Sequence, residues 1–122
     1  MKASVIIANF NSGRFIKECI ESINSQTYNK IEIIFFDDNS KDNSLEIIKD
    51  YNNVKIIENK IQTNFGSLNQ INAFKKCIEI SSGEVIFFLD SDDYFAKNKI
   101  EKIINIFQEN NNKMIIFDFP II

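Results

Sequence analysis

Two groups of aspartate stand where apolar runs stop. Asp37-Asp38 follows Ile33-Ile34-Phe35-Phe36, and Asp90-Ser91-Asp92-Asp93 follows Val85-Ile86-Phe87-Phe88-Leu89. Carboxylates gathered in one place repel one another unless a cation or a donor-rich ligand offsets them. Asp90 and Asp92 are two residues apart, so a turn after Leu89 lets both face one cavity. Hard cations such as Mg²⁺ or Mn²⁺ prefer carboxylate oxygen, and commonly keep waters and take other ligands from substrate phosphates. One or two protein carboxylates are then enough. A cation bridging a diphosphate also neutralises it as it leaves. Asp92 is the expected direct metal ligand. Asp90 is expected to bind a ribose, a sugar, or the metal through water. The bland alternative is that Asp-Ser-Asp-Asp only makes a helix-capping turn, since Asp and Ser favour such places. A lone D-x-D is a weak signal. Five preceding apolar residues and the first acidic pair strengthen it.

In the first pair, Asp38 can accept a hydrogen bond from a base imino group such as uracil N3–H and so select among bases. Asp37 is expected to cap backbone or hold the loop. A third stretch, Ala8-Asn9-Phe10-Asn11, ends another apolar run. Free backbone groups there can bond a base edge, with Phe10 packed beside it. Asn11-Ser12-Gly13 also reads as the start of a helix. Asn64-Phe65-Gly66 precedes a helix whose amino end could face phosphates.

Elements must bring these residues together. Ala3 to Asn9, Ile31 to Phe36, Val54 to Glu58 and Glu84 to Leu89 read as strands, the apolar ones buried on both faces. Lys113 to Phe119 reads as a fifth, stopped by Pro120. Between them, Phe15, Ile16, Cys19, Ile20 and Ile23 recur at helical spacing over about 13–25, capped by Ser12 or Asn11. Ser40 or Asp42 caps a short helix through about Tyr51, with Leu45, Ile48 and Ile47 inward. Residues 66–81 form a helix with Leu68, Ile71, Phe74, Cys77 and Ile78 near one face, ended by Ser82-Gly83. A last helix covers about 97–109. Strands alternating with helices predict an α/β fold: a mainly parallel sheet, helices on both faces, right-handed crossovers. Acids at strand ends then share the carboxyl edge of the sheet, where such folds bind ligands.

Composition narrows the classes. The chain has 122 residues, 44% hydrophobic, with a formal charge of −3. That suits one domain with a real core. Lys and Arg are scattered, so nucleic acid is not an expected partner. The absence of histidine removes Ser-His and Cys-His nucleophile pairs and histidine metal sites within this chain. Cys19 and Cys77 lack metal-ligand spacing and are expected as reduced, buried thiols. No apolar stretch reaches the roughly 20 residues of a membrane span. No secretory signal precedes the first strand, and a cytoplasmic location is expected. The apolar ending Ile121-Ile122 reads as truncation of a longer protein.

Asn9-Phe10-Asn11, Ser25-Gln26-Thr27-Tyr28, Phe36-Asp37-Asp38-Asn39-Ser40-Lys41-Asp42, and Ser82-Gly83-Glu84 leading to Phe88-Leu89-Asp90-Ser91-Asp92-Asp93 together resemble the family 2 glycosyltransferases of GT-A fold. Their order and spacing match across nearly the whole chain. The resemblance implies a Rossmann-like half that binds a nucleotide sugar, often a UDP-sugar, with Mn²⁺ or Mg²⁺. It implies inverting transfer to an acceptor hydroxyl, on a glycan or lipid-linked acceptor in glycan or cell-envelope synthesis, at or near the inner face of the membrane. By position, Ala8 touches the base region, Asp38 binds uracil, and Asp90 and Asp92 form the D-x-D site. Family members often have Pro where Ala8 stands. Many carry Arg-Asn near Phe74-Lys75, and here Lys75 or Lys76 supplies the charge. The family's catalytic base lies beyond residue 122, in an acceptor-binding half, and Asp118 is not assigned that role. Residues 1–122 are thus expected to be a single donor-binding domain that turns over poorly alone.

Three rivals come from other classes. A response-regulator receiver needs its acid pair after strand one and its phosphorylated Asp after strand three, but Ala8-Asn9 and Lys60 stand there. A nucleotidyltransferase needs a fuller Gly-rich basic loop than Asn11-Ser12-Gly13-Arg14. A non-catalytic nucleotide-binding module is the third.

Overall fold

Among the described residues, four strands form one parallel sheet: β1 (Ala3–Asn9), β2 (Ile31–Asp37), β3 (Val54–Glu58) and β4 (Val85–Asp90). Helices α1 (Gly13–Asn24), α2 (Ser44–Ile48), α3 (Gly66–Ile80) and α4 (Lys99–Glu109) alternate with them or follow. The computed structural model describes residues 1–60 and 66–110. The expected fifth strand, 113–119, lies outside the described residues, as do Asp118 and Pro120.

The strand order is β3-β2-β1-β4. From β1 the chain steps outward through β2 to β3, then returns to place β4 on the other side of β1. The reversal puts a topological switch point between β1 and β4, and ligands of open α/β sheets bind outside the carboxyl ends at such a point. Helices lie on both faces, as the alternation of elements predicts. On one face, Val5, Ile7, Phe35, Phe87 and Leu89 pack with Ile16, Cys19, Ile20 and Ile23 of α1, Ile48 of α2 and Ile100, Ile103 and Ile104 of α4. On the other, Ile6, Ile34 and Phe36 meet Ala73 and Cys77 of α3.

Two helices depart in part from the faces expected. Phe15 is 41% exposed and lies under the Arg14 guanidinium, 5.3 Å from its ring centre, so α1 packs through Ile16, Cys19, Ile20 and Ile23 alone. Among the described side chains of α3 the buried ones are Asn69, Ala73 and Cys77, while Ile71 and Ile78 are exposed. Three residues spaced by four make one stripe. Its small side chains let the helix lie close to the sheet, with Phe74 packed at the border and Ile71, Ile78 and Ile80 left outside.

At the amino edge, Glu32 is 8% exposed and tied to four segments. It accepts hydrogen bonds from Ser4 Oγ, from the amide and hydroxyl of Ser82, and from Gly83 N at 3.1 Å. Lys55 Nζ stands 3.0 Å away and Lys2 Nζ 3.5 Å. Burial opposes the charge, but the bonds from Ser4, Ser82 and Lys55 outweigh it and hold the carboxyl well below the usual carboxylate range. Beside it, the Gly83 amide also donates to Ser4 Oγ, and the backbones approach so closely that a Cβ at Gly83 would stand 2.6 Å from Ser4 N. The start of β4 is thereby pinned to β1.

Candidate functional site

Strand alternation sorts the edge residues between the two faces. Ile6 and Phe36 point toward α3, so Ala8 and Asp38, two residues further along, share that side. In β4, Val85, Phe87 and Leu89 point the other way, which puts Asp90 on the α3 side as well. The register pairs Ala8 with Phe36 on one hand and with Asp90 on the other. Asp38 and Asp90 therefore flank Ala8 at one edge of one face. With β1 between them, β2 and β4 are about 10 Å apart. The Ser91 amide bonds Ala8 O at 3.3 Å and the Asp38 amide bonds Asn9 O at 2.9 Å, which fastens both acidic loops to the end of β1.

After β4 the chain turns, with Asp93 N bonded to Asp90 O at 3.0 Å. Ser91 is 3% exposed and faces inward, while Asp90, Asp92 and Asp93 are exposed. Partial burial, then the charges of Asp92 and Asp93, raise the pKa of Asp90. This acidic cluster is felt in the core: the Cys19 thiol, 3.8 Å from Asp90 O, is pushed up to about 12 by burial and by Asp93, Asp92 and Asp90. Among the described residues no three His, Cys, Asp or Glu side chains converge into a ready-made metal cage. The donor set fits a hard cation that takes two carboxylates from the chain and other oxygens from its ligand.

Asn9 plays a different part from the one expected. It lies on the face opposite Asp38, is 2% exposed, and donates from Nδ2 to Asp37 Oδ1 at 2.8 Å and Ser40 Oγ at 3.1 Å. The alternation that aims Ala8 at the edge turns Asn9 inward, so its side chain is a brace. Asp37 completes that brace by accepting from Ser40 N at 3.0 Å, a loop-holding role. Phe10 is 54% exposed beside it.

The loops after β1 and β2 are laced together. Asn11 N donates to Ser40 Oγ at 2.9 Å, and Lys41 N to Asn11 Oδ1 at 2.7 Å. Asn11 and Asn39 take the left-handed conformation, which asparagine tolerates better than most residues. Neither Ser12 nor Asn11 caps α1. Asp42, from the next loop, accepts from Gly13 N at 2.8 Å and, through its other oxygen, from Ser44 N at 3.0 Å, serving α1 and α2 together. Burial opposes its charge, but the bonds from Ser44 and Gly13 prevail and lower its pKa.

One neighbour of Asp38 was not singled out in the sequence. Asn59, just past β3, donates from Nδ2 to Asp38 Oδ1 at 2.8 Å. Asn59 also lines a cavity of about 320 Å³ with Phe36, Asn69, Asn72, Lys75 and Lys76. Both candidate lysines of α3 therefore face one space. Only the pairing of strands shows this, because Asn59 follows a half-exposed edge strand and carries no motif. Asn64 and Phe65 lie outside the described residues.

Comparisons with known proteins identify the family. The family model for glycosyl transferase family 2 matches residues 4–122. An uncharacterized glycosyltransferase of Nostoc is 37% identical over 112 residues, covering 91% of this chain and 34% of the relative. A poly(ribitol-phosphate) beta-glucosyltransferase of Bacillus spizizenii is 36% identical over 122 residues, covering 95% of this chain and 19% of the relative. Among solved structures, S. aureus TarS in complex with UDP-GlcNAc superposes with a TM-score of 0.78 at 28% identity, over 91% of this chain and 32% of that one. The chain thus spans about a third or less of the length of these proteins. By the match of its sequence over residues 4–122, the chain belongs to glycosyl transferase family 2.

Proposed function

We propose that this chain is the donor-binding part of an inverting glycosyltransferase that takes a UDP-sugar together with Mg²⁺ or Mn²⁺ and serves a glycan or lipid-linked acceptor at the cytoplasmic side of the cell envelope. The observation that carries the reading is the placement of Ala8, Asp38 and Asp90 on one face at the switch point. Asp38 accepts the uracil N3–H, Ala8 and Phe10 bound the base region, and Asp92 and Asp90 hold the cation. Such a cation supplies charge neutralisation for the departing diphosphate. The chain's own contribution is to fix the donor between two acidic loops tied to β1. In the transfer, an acceptor oxygen bonds the anomeric carbon as the carbon–diphosphate bond breaks, and its proton passes to a base outside the described residues. The UDP-GlcNAc complex of TarS supports the uridine assignment, and the poly(ribitol-phosphate) relative supports a cell-envelope acceptor. Among the described residues no helix is long and apolar enough to cross a membrane.

Calorimetry with UDP, GDP and UDP-sugars, with and without Mn²⁺, tests the reading. UDP binding should require the metal and weaken about tenfold or more in Asp92→Ala. Asp38→Ala should weaken nucleoside binding while leaving the metal requirement. Wild-type binding in both variants would overturn the assignments.

A further inference from the structure

We infer that Asn59 is a positioning residue that orients the Asp38 carboxylate and so sets the base selectivity of the site. The inference rests on the proposed role of Asp38 and adds a residue to it. Asn59 sits one step past β3, where its amide donates to Asp37 O at 2.8 Å and extends the β2–β3 pairing beyond Glu58. Its backbone is thereby fixed beside the end of β2. From there the side-chain Nδ2 reaches Asp38 Oδ1 at 2.8 Å. An ionised carboxylate only accepts, so the amide must present nitrogen to it, and a flipped amide loses the bond. A hydrogen bond to a charged acceptor is stronger and more directional than a neutral one. It holds one carboxylate oxygen and thereby fixes where the other points.

The surroundings give that orientation a use. Asn59 shares the 320 Å³ cavity with Phe36, Asn69, Asn72, Lys75 and Lys76, a size usual for small-molecule sites. The lining combines amide and ammonium donors with one aromatic wall and the carboxylate of Glu79. Uracil offers two carbonyl acceptors around one N–H donor. The Asp38 carboxylate, held by Asn59 beside a cavity that carries such donors, matches that pattern. Cytosine carries a lone pair, not a proton, at N3, and a fixed carboxylate repels it. Selectivity between the two bases thus depends on how firmly Asp38 is aimed.

The test measures UDP and CDP binding to the 122-residue chain with Mn²⁺, in wild type, Asn59→Ala, Asn59→Gln and Asp38→Asn, with thermal melting of each. Asn59→Ala should remain folded, bind UDP about tenfold more weakly and bind CDP within about twofold of wild type. Asn59→Gln, which keeps the amide donor, should restore part of the UDP preference. Asp38→Asn should abolish the preference. If Asp38→Asn abolishes it but Asn59→Ala does not change it, the role of Asn59 is refuted while the function proposed for Asp38 stands. An equal loss of UDP and CDP binding in Asn59→Ala would mark a merely structural residue and also refute the inference. If Asp38→Asn leaves the preference intact, the base-reading role of Asp38 falls, and that of Asn59 with it.

Discussion

At the residue scale, the two described glycines that are crowded differ in what crowds them. A Cβ on Gly83 would stand 2.4 Å from Ser4 Oγ and 2.6 Å from Ser4 N, and the second contact is backbone. A Cβ on Gly13 would stand 2.2 Å from Asn43 Oδ1, the tip of a side chain that can rotate away, and 3.0 Å from Asp42 Oδ2, which needs to give by only a few tenths of an ångström. Gly83→Ala should therefore cost about 1–3 kcal/mol of stability in urea unfolding, the usual range for overpacking. Gly13→Ala should stay within about 1 kcal/mol of wild type, because the gain in helix propensity offsets the displacement of Asn43. Equal effects would show that the β1–β4 approach is looser than its geometry. The Asp residues illustrate the same dependence on surroundings. Asp37 and Asp38 are adjacent, yet one is 1% exposed inside a brace and the other sits half-buried at the edge beside Asn59.

At the element scale, Glu32 joins β1, β2, β3 and the α3–β4 turn. Strand register decides which face each side chain takes. The anchor on Ser82-Gly83 thus helps place Asp90 on the same side as Asp38. Glu32→Gln should destabilise the chain by about 1–3 kcal/mol at neutral pH, because the buried Ser4 hydroxyl and the donors of Ser82, Gly83 and Lys55 lose a charged acceptor that is itself buried. The folded pKa lies below the ordinary glutamate value of about 4.3. The charge therefore contributes stability in full above that value and loses it as pH falls toward the folded pKa. Urea titrations at neutral and acid pH should show the gap between wild type and variant closing from about pH 5 downward. A gap that does not change with pH would mean that the carboxylate's charge is not what stabilises the turn.

At the scale of the whole molecule, the two thiols report on both faces of the sheet. Cys19 lies in the core beneath α1, and Cys77 in the core beneath α3. Burial pushes Cys77 up to about 11, and burial with the acidic turn pushes Cys19 up to about 12. Thiolate is the reactive form, so neither should react readily with a disulfide reagent near neutral pH in the native chain. Both should react after denaturation, at a common rate if the two faces open together. Rapid native-state labelling of Cys77 alone would show that α3 opens separately.

The four described strands, the order of elements and the acidic ends were legible in the amino-acid sequence because strands leave unbroken apolar runs such as Ile33–Phe36, buried on both faces, and Val85–Leu89, whose second face leaves Phe88 50% exposed. The reduced thiols and the loop-holding role of Asp37 followed from the same local chemistry. Other features required partners distant in the chain. The cap of α1 comes from Asp42, 29 residues away, where local spacing pointed to Ser12. The face of α3 follows from how closely a helix can approach the sheet, which apolar periodicity does not encode. The buried place of Glu32, the inward turn of Asn9 and the bond from Asn59 to Asp38 all depend on which strands lie side by side. Sequence alone determined the elements and the residue types at their ends, because those depend on neighbours a few positions away. Tertiary structure decided which ends meet and which way each side chain points, because strand pairing and register act between residues far apart in the chain.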